Sequence, residues 1–222
     1  MQQPIVSCFT PTFNWPQIFS FTDTTLPLVT CIMPTANRQK FIPKAVQYFL
    51  QQDYPYKELV IIDDGIVSVA NLLPNLYSIR YFYSQETQYI GTKRNIACER
   101  AAGSIILHWD DDDWYAPDWI SYQVNTLLEN EMDICGLSHV QFYSVRENRY
   151  YITKNTNAKT NWLSGATLAY RKSFWNRHPF KNIHIGEDIH FVRDKKAKVF
   201  AHNYFKGFLA IVHSTNARIK EF

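Results

Sequence analysis

The hydrophobic and polar positions fall into alternating short blocks from residue 27 onward. "PLVTCIMPT" (27–35) is a compact apolar run of strand length. "RQKFIPKAVQYFLQQ" (38–52) follows, with Phe41, Ala45, Tyr48 and Phe49 at helical spacing and Pro43 suited to a first turn. "YKELVIIDDG" (56–65) is a β-branched run that ends on Asp63, Asp64 and Gly65. "SIRYFYSQ" (78–85) predicts a third strand, and "GTKRNIACERAAG" (91–103) a helix capped by Thr92 and stopped by Gly103. "SIILHW" (104–109) predicts a fourth strand, and a helix runs from Pro117 to Asn130 with Ile120, Val124, Leu127 and Leu128 on one face.

Strands that alternate with helices predict a doubly wound α/β sheet, mainly parallel, with helices on both faces. The second half reads differently. Residues 133–154 alternate like a hairpin turning near Glu147 and Asn148. "WLSGATLAYRKSFW" (162–175) reads as a strand leading into a helix, "GEDIHFVRDKK" (186–196) as a helix, and "KVFAHN" and "FLAIVHS" as closing strands. Residues 1–26, rich in Pro, Thr and Phe without a clear period, form an extension. Residues 27–222 form one domain, divided near residue 130.

Composition narrows the class. In 222 residues, 46% are hydrophobic and 19% charged, enough to bury a core and too few charges for wholesale disorder. The net charge of +3 is too small to argue for a nucleic-acid partner. Cys8, Cys31, Cys98 and Cys135 make no Cys-x-x-Cys pair and lie in apolar contexts, which reads as buried thiols in a reducing, cytoplasmic setting. The start carries no basic region followed by a long apolar run, so it does not read as a secretory signal. No apolar run reaches the roughly 18 residues of a membrane span, which leaves only peripheral membrane contact open.

The chemistry gathers at the predicted carboxyl ends of the strands, where open parallel sheets bind ligands. Strand one ends in "PTANR", strand two in the Asp63-Asp64 pair, and strand four in Asp110, Asp111, Asp112 and Asp113. Four adjacent carboxylates raise one another's pKa unless a cation compensates. Mg²⁺ and Mn²⁺ suit such oxygen ligands, and Mg²⁺ commonly completes its shell with water and substrate phosphates. Solvated turn and helix cap are the competing readings of the run. None of the 7 glycines builds a G-x-G-x-x-G or Walker sequence, "HIGEDIH" is not H-E-x-x-H, and no G-x-S-x-G is present.

In this order, "PTANR", "ELVIIDDG", "GTKRNIACERAAGSIILHWDDDDWYAPDW", "WLSGATLAYRKSFW" and "GEDIHFV" resemble a family 2 glycosyltransferase of the GT-A fold, over about residues 27 to 216. The resemblance implies inverting sugar transfer from a nucleotide-sugar, first of all a UDP-sugar, with Mn²⁺ or Mg²⁺ as cofactor. It makes 27–130 the nucleotide-sugar half and 131–222 the acceptor half. It puts Pro34, Thr35, Asn37 and Arg38 along the nucleotide, Asp63 or Asp64 at the base or ribose, and Lys93 and Arg94 near the phosphates. Asp110 and Asp111 would face ribose or donor sugar, and Asp112, with Asp110 and His213, would hold the metal.

Trp162, Gly165 and Ala166 would border the acceptor, which is a glycan, a lipid-linked sugar, a protein or a small molecule. Asp188 would be the general base, with Glu187 beside it as acceptor ligand or alternative base. Ile66 departs from the small polar residue usual there. His108, His139, His178, His184, His190 and His202 read as structural or exposed. Two other functions fit the acidic turn. A nucleotidyltransferase is one, although its glycine-rich loop is missing, and a non-catalytic nucleotide-sugar-binding module is the other.

Overall fold

The computed structural model describes residues 26–154, 163–214 and 216. Trp162 and the 1–25 part of the extension lie outside these.

Two sheets organise the chain. The larger has seven strands: β1 (Val29–Thr35), β2 (Lys57–Asp63), β3 (Ile79–Tyr83), β4 (Ile105–His108), β6 (Ile134–Leu137), β9 (Ala169–Arg171) and β10 (Val199–His202), in the order β10-β6-β9-β4-β1-β2-β3. The smaller has four: β5 (Trp114–Tyr115), β7 (His139–Ser144), β8 (Arg149–Lys154) and β11 (Phe208–Val212), in the order β5-β11-β7-β8. β1, β2, β3 and β4 are mutually parallel where they pair, whereas β9 runs antiparallel between β4 and β6.

Alternate residues of β1 feed two cores. Cys31 and Met33 pack with α1 (Ile42–Leu50) and α3 (Trp119–Glu129), while Ile32 packs with α2 (Ile90–Arg100), α4 (Lys172–Arg177) and α5 (Glu187–Val192). Helices therefore cover both faces, as the apolar runs predict for strands buried on both sides. α1 shows why its sequence is helical. Pro43 sits in the first turn, and Ile42, Ala45, Val46 and Phe49 form one buried stripe. Each large aliphatic group in that stripe contributes roughly 1.5–3 kcal/mol of transfer energy.

Several expectations need correction. Residues 133–154 are not one hairpin: β6 joins the large sheet, and only β7 and β8 pair, across a turn in which Asn148 takes a positive φ of 51°. β6 is buried throughout, as a strand inside the large sheet must be, and the in-out alternation belongs to β7 after the polar pair Ser138-His139. Thr92 does not cap α2. The cap position is Tyr89, and the helix ends at Arg100. Gly103 serves a close approach instead, because a Cβ there would lie 2.6 Å from the Leu28 carbonyl oxygen. On α3 the buried face includes Trp119, while Leu128 is exposed. Cys31, Cys98 and Cys135 are buried free thiols, as expected.

Candidate active site at the carboxyl ends of the strands

Parallel register puts Thr35 beside Asp63 and Ile32 beside His108, so the loops after β1, β2 and β4 leave the sheet along one edge. Above them opens a cleft of about 490 Å³. Pro34, Thr35, Arg38, Lys93, Arg94, Asp110 to Asp113 and Ala166 line it. A hollow of about 530 Å³ lies at the opposite edge, near Pro27, Gly103 and Arg171, but no carboxylate or histidine lines it.

The acidic turn alternates. Asp111 and Asp113 are buried against protein donors. Asp111 accepts the Thr35 hydroxyl at 2.5 Å, and Asp113 accepts the Ile211 N–H at 2.9 Å, tying the turn to β11. Burial pushes the Asp111 carboxyl up to about 7, against the pull of Arg38. Asp110 and Asp112 are more open. The Arg38 guanidinium pairs with Asp112 and reaches Asp111 at 3.4 Å. His213 Nε2 lies 2.9 Å from Asp112, and the Asn216 amide donates to the same carboxylate at 3.1 Å. Phe41, at the start of α1, stacks on His213 at 4.5 Å. Burial lowers the His213 pKa, with Asp112 opposing.

These donors suit a divalent cation with an incomplete protein shell. Asp112 and His213 already converge, and Asp110 flanks them. Among the described residues no three His, Cys, Asp or Glu side chains form a ready-made metal cage. Such a site needs further ligands from a phosphate-bearing substrate and water, which is the habit of Mg²⁺.

The Asp63-Asp64 pair braces the floor and does not line the cleft. Asp63 is fully buried and accepts from Gly65 N–H at 2.9 Å, Val69 N–H at 3.1 Å and the Tyr81 hydroxyl at 2.7 Å. Asp64 accepts from Lys93 Nζ at 2.7 Å and Gln88 N–H at 2.8 Å. Lys93 also donates to the Thr35 carbonyl, so one ammonium joins the ends of β1 and β2 below the cleft. Asn37, at φ 55°, accepts the Ile66 N–H at 2.7 Å and shapes the loop rather than the cleft wall.

Arg94 joins the two halves of the site. Its guanidinium pairs with Glu187 and also lies in the field of Asp110 and Asp188. Burial raises the Glu187 pKa, which Arg94 opposes. Glu187 and Asp188 open α5 behind Gly186, which takes a φ of +85°. Asp188 Oδ1 accepts the Ile189 N–H at 2.8 Å. Its other oxygen rests on Gly165, where a Cβ would lie only 2.1 Å away. Gly165 and Ala166 form a single 3₁₀ turn, Gly165–Thr167.

Three contributors were not singled out from the sequence. Asn216 and Phe41 flank His213, and His108 contacts the Gly165 carbonyl at 2.5 Å. For His108 a signal existed, since it is the last residue of the strand that delivers the acidic turn.

Comparison with known proteins agrees with this geometry. The chain matches the family model described as "Glycosyl transferase family 2" over residues 30–204. An uncharacterized glycosyltransferase of Haemophilus influenzae is 31% identical over 112 residues, covering 48% of this chain and 45% of the relative. The GalNAc(5)-diNAcBac-PP-undecaprenol beta-1,3-glucosyltransferase of Campylobacter jejuni is 27% identical over 140 residues, covering 60% and 43%. The chain thus spans less than half the length of these two relatives.

Among solved structures, the Pyrobaculum calidifontis mannosyltransferase PcManGT, in complex with GDP-Man and Mn²⁺, superposes with a TM-score of 0.66 at 17% identity. That likeness covers 88% of this chain and 59% of the other. S. aureus TarS 1–349 in complex with UDP-GlcNAc also gives 0.66 at 17% identity, over 85% and 60%. The architecture is that of the GT-A glycosyltransferases, a mixed, mostly parallel sheet between helices. The chain belongs to glycosyl transferase family 2.

Proposed function

We propose that the chain carries the catalytic domain of a metal-dependent, inverting glycosyltransferase that moves a sugar from a nucleotide-sugar to an acceptor hydroxyl. The observation that carries this reading is the meeting of two charge systems at one cleft. Asp110 and Asp112, with Arg38 and His213, stand on one side, and Glu187 and Asp188 are drawn toward them through Arg94.

The division of labour follows the chain. The 27–130 half binds the donor. Arg38, Lys93 and Arg94 supply positive charge for its phosphates, and Pro34 and Thr35 form the wall beside them. Asp64 acts from beneath by fixing Lys93, and Asp63 by holding the loop after β2. Asp112 and His213, with Asp110, would hold Mn²⁺ or Mg²⁺. When bound, that ion offsets charge on the departing nucleoside diphosphate.

The 131–222 half receives the acceptor beside Ala166. Asp188 takes the proton from the attacking hydroxyl as the bond to the anomeric carbon forms and the diphosphate leaves from the opposite face. Glu187 holds Arg94 against this acid. UDP-sugars lead the donor candidates, and GDP-sugars follow because one structural neighbour carries GDP-Man. The acceptor class is a glycan, a lipid-linked sugar or a protein. No helix among the described residues is long and apolar enough to cross a membrane.

The test is release of nucleoside diphosphate from a panel of UDP- and GDP-sugars with Mn²⁺ or Mg²⁺. The reading expects metal-dependent turnover of at least one donor. No release from any donor by folded protein would overturn it.

A further inference from the structure

We propose that His108 is a positioning residue for Asp188, acting through the backbone of Gly165. The inference rests on the reading of Asp188 as the general base.

His108 is the last residue of β4 and is 1% exposed. It grips the 165–168 segment twice. Its backbone N–H donates to the Leu168 carbonyl at 2.9 Å, and its Nδ1 lies 2.5 Å from the Gly165 carbonyl. A carbonyl oxygen only accepts, so Nδ1 carries the proton. Nε2 is then the acceptor, and it faces the Tyr170 hydroxyl at 3.4 Å. That hydroxyl lies 3.2 Å from Cys98 Sγ on α2. Tyr170 and Phe180 enclose the imidazole, with ring centroids at 5.5 and 5.6 Å. The ring therefore has one tautomer and little freedom to turn.

Gly165 transmits this order. The Asp188 carboxylate lies so close to its Cα that no side chain fits between them. A rotation of the 165 peptide would move the surface on which Asp188 Oδ2 rests. The other Asp188 oxygen is already committed to the Ile189 N–H. His108 thus fixes the peptide, and the peptide fixes the carboxylate. Misplacement of a reacting group by about 1 Å can cost about 10²-fold in rate, so a silent-looking core histidine is expected to show in kcat.

The experiment uses the full chain with Mn²⁺ and three donors: UDP-glucose, UDP-N-acetylglucosamine and GDP-mannose, with water as acceptor. It reads kcat, KM, UDP affinity by calorimetry and the unfolding midpoint. H108N places an amide nitrogen where Nδ1 was and keeps the donor to Gly165. H108Q extends the amide past that point and loses it. The expected result is a kcat within about 1.5-fold of the unchanged protein for H108N. For H108Q, kcat should fall about 10- to 100-fold, with KM and UDP affinity within twofold.

Equal impairment of both variants, or an H108Q that loses only thermal stability, would overturn the proposal. Should H108Q not fold, Tyr170→Phe removes the partner that holds Nε2 and keeps the packing. It should lower kcat about threefold at constant KM, and no change would count against the proposal. D188N in the same assay separates the two levels. Loss of turnover in D188N with a silent H108Q sinks this inference alone. Full turnover in D188N, or no turnover of any donor by the unchanged protein, sinks the base assignment and this inference with it.

Discussion

His213 Nε2 stands 2.9 Å from Asp112 Oδ2 although the two residues are 101 positions apart. The contact closes the cleft by bringing the segment after β11 onto the turn after β4, and Phe41 stacks behind the imidazole. Because a divalent ion held here has few protein ligands, each should count. His213→Ala is expected to weaken Mn²⁺ binding in the presence of UDP by about 10- to 100-fold, on the scale of losing a supporting ligand. Electron paramagnetic resonance of free Mn²⁺ reads this directly. Unchanged affinity would remove His213 from the site.

Gly165→Ala tests the contact with Asp188. The new methyl would sit 2.1 Å from Asp188 Oδ2, so either the 3₁₀ turn or the carboxylate must move. Overpacking of this kind costs about 1–3 kcal/mol. The expected outcome is a kcat lowered by at least tenfold with UDP affinity retained. Wild-type kcat would show that Asp188 need not occupy this place.

Asp63 is expected to behave as a scaffold. Asp63→Ala would strand the Gly65 N–H, and would leave the Val69 N–H with only the Tyr81 hydroxyl and that hydroxyl with only Ser68 Oγ. Each stranded buried group costs about 1–3 kcal/mol. A urea midpoint reduced by the equivalent of at least about 1 kcal/mol is predicted. A fully stable variant that loses only nucleotide affinity would show the opposite role.

The paired apolar runs and their polar ends made the sheet edge readable, because a strand buried on both faces must be apolar and must shed its polar residues at its ends. That is why Thr35, Arg38 and Asp112 could be picked out before any fold was in hand. The glutamate-aspartate pair was legible only through its place in an ordered set of motifs. Other features were hidden for physical reasons. β6 and β7 are separated only by Ser138, with no turn residue or gap to show that they serve different sheets. The occupied state of Asp63 depends on Tyr81 and Val69, which no local pattern connects to it. His108 reads like any core histidine until the Gly165 turn is seen against it.

His202 gives a pH signature. It is buried, its Nε2–H donates to Gln123 Oε1 at 3.0 Å, and its Nδ1 accepts the Tyr204 N–H at 3.3 Å, which only the neutral ring can do. Burial pushes its pKa down to about 4. Between pH 4 and the ordinary histidine value of about 6.5, the unfolded chain binds a proton that the folded one refuses, so stability rises with pH across that window. This group alone should make the protein about 2 kcal/mol less stable at pH 5 than at pH 7.5. Urea titrations at both pH values should show that difference shrinking in His202→Gln. An identical pH slope in the variant would refute the assignment.

The central claim is that the acidic turn and the basic residues around it hold a nucleoside diphosphate through a divalent ion. Calorimetric titration of UDP and GDP into the protein, with and without Mn²⁺ and against Asp112→Asn, tests it most directly. The account predicts that one of the two nucleotides binds at least about tenfold more tightly with Mn²⁺, a gain of about 1.4 kcal/mol, and that Asp112→Asn erases the gain. Binding of neither nucleotide with Mn²⁺ present, or a metal gain that survives in Asp112→Asn, would contradict it.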